Sequence, residues 1–164
     1  MLKVHGVDYI AVDADIDIVE GARKSVAPVY FGDATNPLFL KNCGLATARA
    51  LVVTMDSAIG AEEVVTVARA ARADLPIVSR ARDARHAGRL YKKGATDAVP
   101  ETVEASLLLS ETLLVDIGVP MGPVIASIHD RRAQFRAEIQ ALAPGANVRS
   151  SRRRLLRERT VPPA

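Results

Sequence analysis

Short apolar runs alternate with longer mixed segments over the first hundred residues of this 164-residue chain. The runs are three to six residues long, and several end on a charged residue, which is typical of buried strands of a parallel sheet. We predict five strands: Tyr9–Asp13, Pro28–Phe31, Ala50–Met55, Pro76–Arg80 and Asp97–Val99. Because all five are apolar on both faces, we expect helices to cover both sides of the sheet.

The segments between and after these runs have helical spacing and helix-end signals. Pro37 stands in a first helical turn after the cap candidate Asn36, and Gly44 and Gly94 follow last turns. The predicted helices are Ile16–Ser25, Pro37–Cys43, Ile59–Arg72, Ala84–Lys93, Thr102–Ile117 and Val124–Leu142. This alternation predicts an α/β fold, with a Rossmann-like doubly wound parallel sheet followed by C-terminal helices.

The pattern divides the chain into three parts. Residues 1–117 form the predicted α/β domain, residues 118–143 an amphipathic helix, and residues 144–164 an Arg-rich tail that we expect to be disordered. The apolar stripe of the amphipathic helix has three-four spacing: Ile125, Ile128, Phe135, Ile139 and Leu142. It packs either on the chain's own sheet or on a second subunit or neighbouring domain.

Composition excludes several classes of protein. The last twenty residues carry six arginines and one glutamate, so the rest of the chain is net acidic although the total charge is +3. Few aromatic residues interleave with the basic ones, and we therefore expect no nucleic-acid partner. The lone Cys43 fits a reducing cytoplasm, and the three histidines lack metal-ligand spacing, so we expect no metal. No segment is apolar enough to cross a bilayer.

Two aspartates stand where apolar strands end. Asp13 closes the first predicted strand, and Asp33 follows the second. Ligands of parallel α/β sheets bind at the carboxyl ends of the strands, where an acid accepts hydrogen bonds from a ribose. Asp15 is better placed to cap the following helix, so we assign Asp13 to the ligand. The two acids indicate the adenosine half of a nucleotide site and disfavour a 2′-phosphorylated cofactor.

The block Gly32-Asp33-Ala34-Thr35 extends this candidate site. A glycine at a strand end lets a flat base approach the backbone, and Asp33 can reach the exocyclic amine of that base. Together with Asn36-Pro37 the same block is also a turn and cap sequence, and this alternative stays open. Thr54 ends the third predicted strand and borders the same crevice, although capping of the next helix by Ser57 or its neighbour explains that loop equally well.

Basic residues are concentrated after the fourth predicted strand. Arg80 ends that strand, and Arg82, Arg85 and Arg89 share one face by three-four spacing. The ordinary interpretation is a solvated surface. The functional alternative is a site for an anionic effector, or pairing with acids of a second subunit.

These motifs occur in an order that resembles a known family. They are Asp13, Gly32-Asp33-Ala34-Thr35, Gly44–Thr54, Arg80-Ala81-Arg82-Asp83 and Gly94–Glu101. The series resembles the RCK, or TrkA-N, nucleotide-binding domain. Its continuation through Glu104-Ala105-Ser106-Leu107 and Gly118-Val119-Pro120 is most similar to the cytoplasmic domain of Kef-type potassium/proton antiporters.

The resemblance implies regulation of transport rather than catalysis, with no catalytic residues. Such domains bind AMP or NAD(H), dimerise, and gate a membrane antiporter from the cytoplasm at the inner face of the cell membrane. In Kef systems a glutathione-type anionic effector binds at the domain dimer. By matching positions, the implied cofactor-binding residues are Asp13, Gly32, Asp33, Ala34, Thr54 and Arg80.

The chain departs from the family pattern before Tyr9, because the first strand and the glycine-rich loop that cradles phosphates are lacking. In the strand order 3-2-1-4-5-6 that strand is the central one, and its neighbours would be left with unpaired backbone groups. We therefore expect a fragment or split-gene product that folds poorly alone or pairs with another chain.

Two other functions compete with this interpretation. An NAD-dependent oxidoreductase would need a catalytic group, but the chain has no Tyr-x-x-x-Lys and no histidine at a strand end. A phosphoacceptor receiver domain could use Asp13, Asp15 and Asp56 as its acidic pocket. It would also need a lysine at a late strand end, where this chain has Arg80 or Glu101.

Overall fold

Five short strands and the helices between them make up the described part of the molecule. The computed structural model describes residues 1–24 and 28–141. The strands are β1 (Ala11–Asp13), β2 (Val29–Phe31), β3 (Leu51–Val53), β4 (Ile77–Ala81) and β5 (Asp97–Pro100). The helices are α1 (Ile16–Lys24), α2 (Pro37–Asn42), α3 (Ala58–Ala71), α4 (Ala84–Lys93), α5 (Glu101–Asp116) and α6 (Met121–Ala141), and a 3-10 turn at Leu2–His5 precedes β1.

All described strand pairs are parallel, as predicted, but they form two sheets rather than one. β1 pairs with β2, with Ala11 opposite Val29 and Asp13 opposite Phe31. The second sheet has the order β3-β4-β5. Among the described residues no strand joins β1 to β3.

The expectation that helices cover every strand on both faces is wrong for two strands. Val53 of β3 is buried against α3, but the neighbouring Val52 is 59% exposed. On β2, Tyr30 and Phe31 are 50% and 55% exposed. The apolar runs were identified correctly, but the described residues leave one face of β3 and both faces of β2 largely open to solvent, because successive side chains of a strand alternate faces.

The helix caps lie close to where the sequence predicts them. Asn36 caps α2 by accepting hydrogen bonds from the amides of Leu38 and Phe39, and Ser57 caps α3. Asp15 accepts from the amides at the start of α1, so its predicted capping role is confirmed. Gly94 ends α4 in the left-handed conformation at φ 105°, where any other residue would be strained.

The main core lies between the three-stranded sheet and the helices that pack on it. α6 returns to this core through Ile139, while Ile128 packs with Leu107 of α5. The buried Tyr91 of α4 donates a hydrogen bond to Asp97 of β5 at 2.7 Å, and Arg136 of α6 pairs with the same carboxylate. Ile128 and Ile139 of the apolar stripe therefore pack within the chain's own domain, whereas Ile125 of the same stripe is 41% exposed. Leu142 and the predicted disordered tail lie outside the described residues.

Candidate functional site

The pairing of β1 with β2 brings the first two predicted site positions together. Asp13 is in register with Phe31, and the Gly32 amide donates to the Asp13 main-chain carbonyl at 2.9 Å. Asp33 follows immediately. Neighbouring strands run about 4.8 Å apart, so both carboxylates leave the sheet at the same edge.

Each carboxylate is oriented by its own turn. The Asp15 amide donates to Oδ1 of Asp13 at 2.9 Å. Oδ1 of Asp33 accepts from the Thr35 hydroxyl at 2.7 Å and from the Thr35 amide at 2.8 Å. These two bonds lower the pKa of Asp33, so it is anionic at neutral pH. In both residues Oδ2 has no hydrogen-bond partner in the described part of the chain, which leaves it able to accept from a hydroxyl or amine.

The structure shows why position 32 is a glycine, which the sequence did not predict. A Cβ at this position would overlap three ring atoms of Phe39, the farthest of them at 2.7 Å. The room expected for an adenine base is therefore occupied by an aromatic ring on the side where a Cβ would lie. No local sequence pattern indicates this contact, because only the fold brings Phe39 of α2 next to Gly32.

A separate cleft of about 250 Å³ opens at the carboxyl ends of β3, β4 and β5. Its lining residues are Met55, Asp56, Arg80, Arg82, His86 and Glu101. Arg80, expected with the nucleotide set, thus lies in this cleft, and neither Asp13 nor Asp33 lines it. Thr54 directly precedes Met55 at the end of β3 and does not line the cleft either.

The cleft contains one neutralised guanidinium and one free one. Arg80 pairs with Asp56 and, at 3.1 Å, with Glu101. The hydrogen bond with Asp56 is the main cause of the raised pKa of Arg80. The side chain of Arg82 is exposed and has no hydrogen-bond or ion-pair partner among the described residues. Arg82 is therefore the group in this cleft best able to bind an anion.

His86 forms the buried wall of the cleft. Its Nδ1 accepts the Arg82 amide at 3.1 Å, which assigns the proton of the neutral ring to Nε2. Nε2 is buried without a hydrogen-bond partner in the described structure, and Oε1 of Glu62 is 4.0 Å away. Burial is the first cause, and the charge of Arg89 the second, of a lowered pKa for His86.

The predicted basic face is not one cluster. Arg82 lies before Asp83, the N-cap of α4, and so is not on the helix. Arg89 is held by Glu62 at 2.6 Å. Arg85 is exposed. The prediction of one shared face was wrong because α4 begins at Ala84, after Arg82.

Metal and membrane features are lacking in the part that the structure describes. No three His, Cys, Asp or Glu side chains there come together as a metal ion would require. None of the helices between residues 1 and 141 combines the length and apolarity needed to span a membrane.

Sequence comparison finds that this chain is similar to part of several K(+) efflux antiporters. The TrkA-N domain model matches residues 1–101. The inferred K(+) efflux antiporter KefB of Alkalimonas amylolytica is 36% identical over 131 residues, which are 80% of this chain and 20% of that protein. The chloroplastic K(+) efflux antiporter 3 of Arabidopsis thaliana is 35% identical over 114 residues, 70% of this chain and 15% of the relative. This chain spans at most a fifth of either relative.

Solved structures agree on the fold. The AMP-bound Kef C-terminal domain of Shewanella denitrificans matches with a TM-score of 0.65 at 23% identity, covering 82% of this chain and 96% of that domain. The GsuK channel bound to NAD matches with a TM-score of 0.60 at 20% identity, over 66% of this chain and 20% of the channel. The expected Rossmann-like α/β architecture is confirmed, and the chain belongs to the TrkA-N domain family.

Proposed function

We propose that this chain is a regulatory nucleotide-binding module of a Kef-type potassium/proton antiporter. The observation that carries the proposal is the pair of turn-held carboxylates, Asp13 and Asp33, at the carboxyl ends of two paired parallel strands. Each keeps an outward oxygen for a ligand, in the place where α/β sheets bind nucleotides. The module acts by binding rather than by chemistry, which its similarity to part of K(+) efflux antiporters supports.

The proposed ligand is AMP or NAD(H), held by its adenosine half. Asp13 accepts from the ribose hydroxyls, and Asp33 and Ala34 contact the purine, since the Phe39 ring fills the room that was expected beside Gly32. Carboxylates at the ribose repel a 2′-phosphate, which favours NAD(H) over its phosphorylated form. The AMP-bound Kef domain and the NAD-bound GsuK channel, both of similar fold, support this ligand class. Thr54, at the end of β3, is the proposed contact for the phosphate side of the ligand.

The proposed partners are a membrane antiporter domain or subunit and a second copy of the module, at the cytoplasmic face of the cell membrane. Large apolar side chains on α5 and at the start of α6 remain exposed and offer a surface for the second copy: Leu108, Leu109, Leu113, Ile117, Met121 and Ile125. Residues 1–117 would form the nucleotide-binding part, and 118–143 the contact helix. Ligand binding that favours one dimer geometry would bias the transporter.

We assign an anionic effector of the glutathione type to the cleft of β3–β5. Arg82 supplies an unpaired cation there. The two bridges of Arg80 to Asp56 and Glu101 could exchange for a ligand carrying both charges. Arg85 and Arg89 would act at its margin, the latter only after leaving Glu62.

Titration with AMP, NADH and acetyl phosphate separates the three functions. AMP or NADH binding without turnover supports the module, hydride transfer would support an oxidoreductase, and a stable aspartyl phosphate would support a receiver domain. We expect Asp13→Ala to weaken adenosine binding by about 1–3 kcal/mol, the cost of losing a charge-assisted hydrogen bond.

Asp8→Ala is the matched control, because it removes the same charge near the amino end of β1, away from the ligand edge. Its affinity should equal that of the parent chain. Equal affinities of the Asp13→Ala variant and the parent would remove Asp13 from the site.

A further inference from the structure

The turn between β4 and α4 consists of two residues, Arg82 and Asp83. The guanidinium of Arg82 has no partner among the described residues, so its place in the cleft depends on the main chain that carries it. The Arg82 amide donates to Nδ1 of His86 at 3.1 Å, whereas its carbonyl accepts from the Thr102 amide at 3.5 Å, which is long for a hydrogen bond. The buried imidazole therefore makes the stronger of the two contacts that fix the main chain of Arg82.

The contact is one half of a reciprocal pair at the start of α4. Asp83, the N-cap, accepts from the His86 amide at 2.8 Å, while the His86 side chain reaches back to the Arg82 amide. This exchange resembles a capping box, in which the residue at the third helical position is usually Glu or Gln. A Gln side chain accepts at any pH, whereas His titrates near neutrality. The residue at position 86 therefore makes this helix start sensitive to protons.

Protonation of the ring removes the acceptor. The neutral imidazole accepts through Nδ1 and carries its proton on Nε2, but in the charged ring both nitrogens donate. Nδ1–H would then face the Arg82 N–H, with the two donor nitrogens 3.1 Å apart. Because a donor that loses its partner in a partly buried place costs free energy, the ring and the turn must separate.

The charged groups around the ring favour its movement toward α3. Oε1 of Glu62 on α3 lies 4.0 Å from Nε2, which makes no hydrogen bond in the described structure. Glu62, the Ala58 carbonyl and the Asp83 carboxylate favour the charged ring, and the nearby charge of Arg89 opposes it. The other charged side chains that line the cleft pair with one another: Arg80, Asp56 and Glu101. A charged ring is therefore attracted to Glu62 and away from the turn.

We propose that His86 is a positioning residue for the anion site of the cleft: its neutral ring fixes the turn that carries Arg82, and protonation of the ring releases that turn. This proposal rests on the anionic effector assigned to the cleft. A released turn leaves Arg82 to be ordered by the ligand itself, which weakens binding. Burial lowers the pKa of His86, so the site is intact at neutral pH and is lost on acidification.

NMR of the full 164-residue chain tests the contact without any ligand. We expect the Nε2–H tautomer of His86 at neutral pH. On lowering the pH, the Arg82 amide signal should lose its hydrogen-bond shift with the same midpoint as the His86 ring, below about 6.5. His5 and His129 are exposed and serve as internal controls, because their titration should leave the Arg82 amide unchanged.

Calorimetric titration with glutathione, at about pH 7 and about pH 5, tests the consequence for binding. The carboxylates of this probe stay ionised and its thiol stays protonated over that range. We expect the parent chain to bind about tenfold more weakly at the lower pH, the effect of losing a charge-assisted contact. His86→Gln keeps an acceptor that does not titrate, so its affinity should change much less with pH. His86→Leu has no acceptor and should bind weakly at both pH values.

Three results would overturn the proposal. The first is an Nδ1–H tautomer of His86 at neutral pH, and the second is an Arg82 amide that does not follow the titration of the ring. The third is an equal pH dependence of glutathione binding in the parent and in His86→Gln. If glutathione binds at neither pH, the effector assignment fails, and the titration of the Arg82 amide alone decides whether His86 positions the turn.

Discussion

Replacing Gly32 by alanine tests the packing at the edge where the candidate site lies. The backbone of Gly32 does not have a positive φ, so only space opposes a methyl group there. The added Cβ would overlap the Phe39 ring, which must move or push α2 away from β2. Overpacking of this kind costs about 1–3 kcal/mol. For a chain of this length that corresponds to a fall in Tm of about 2–12 °C.

The assay is thermal and urea unfolding of four proteins: the parent, Gly32→Ala, Phe39→Leu and the double variant. Because the clash needs the ring, the cost of the alanine should fall by about 1 kcal/mol or more in the Phe39→Leu background. Gly21→Ala is the matched control. Gly21 lies within α1 with open space around its Cβ position, and the change should stabilise by about 0.5–1 kcal/mol. An equal cost of Gly32→Ala with and without the ring would refute the packing argument.

Two further predictions concern buried polar groups. Tyr91→Phe removes the hydroxyl that donates to Asp97 and accepts from the Ala98 amide of β5. The free energy of unfolding, measured in urea, should fall by about 1–2 kcal/mol. An unchanged urea midpoint would contradict a stabilising role of these two hydrogen bonds. Burial lowers the pKa of His86 below 6.5, so the unfolded chain binds the extra proton first and stability should fall as pH drops below about 6.5. His86→Gln should flatten that fall between about pH 8 and about pH 5.5 in thermal melts, and an unaltered pH profile would show that His86 is not its source.

Much of the fold could be predicted because local signals and burial agree over most of the chain. Asp15, Asn36 and Gly94 act at helix ends as their residue types require. The parallel arrangement followed from apolar runs separated by helices. β1 and β3 proved shorter than predicted, because the apolar run begins before β1, at Tyr9, and continues after β3, to Met55.

The candidate site was only partly predictable, because residue contacts across elements decide it. The partners of Asp13 and Asp33 lie two residues away in sequence, so their turns could be inferred. Arg80 is paired with one acid from the loop after β3 and one from the start of α5, 24 and 21 residues away. A pattern of spacing contains no such information. Phe39 was missed for the same reason, since only the folded chain brings its ring onto Gly32.

An NMR titration of the full chain with adenosine and with AMP tests the central claim most directly. We expect both ligands to shift the amide signals of residues 13–15 and 32–35, and Asp13→Ala to weaken the binding of both to a similar extent. Signals of the cleft residues Arg80 and Arg82 should move little with adenosine. Shifts confined to the cleft, or the absence of any response at the ends of β1 and β2, would contradict it.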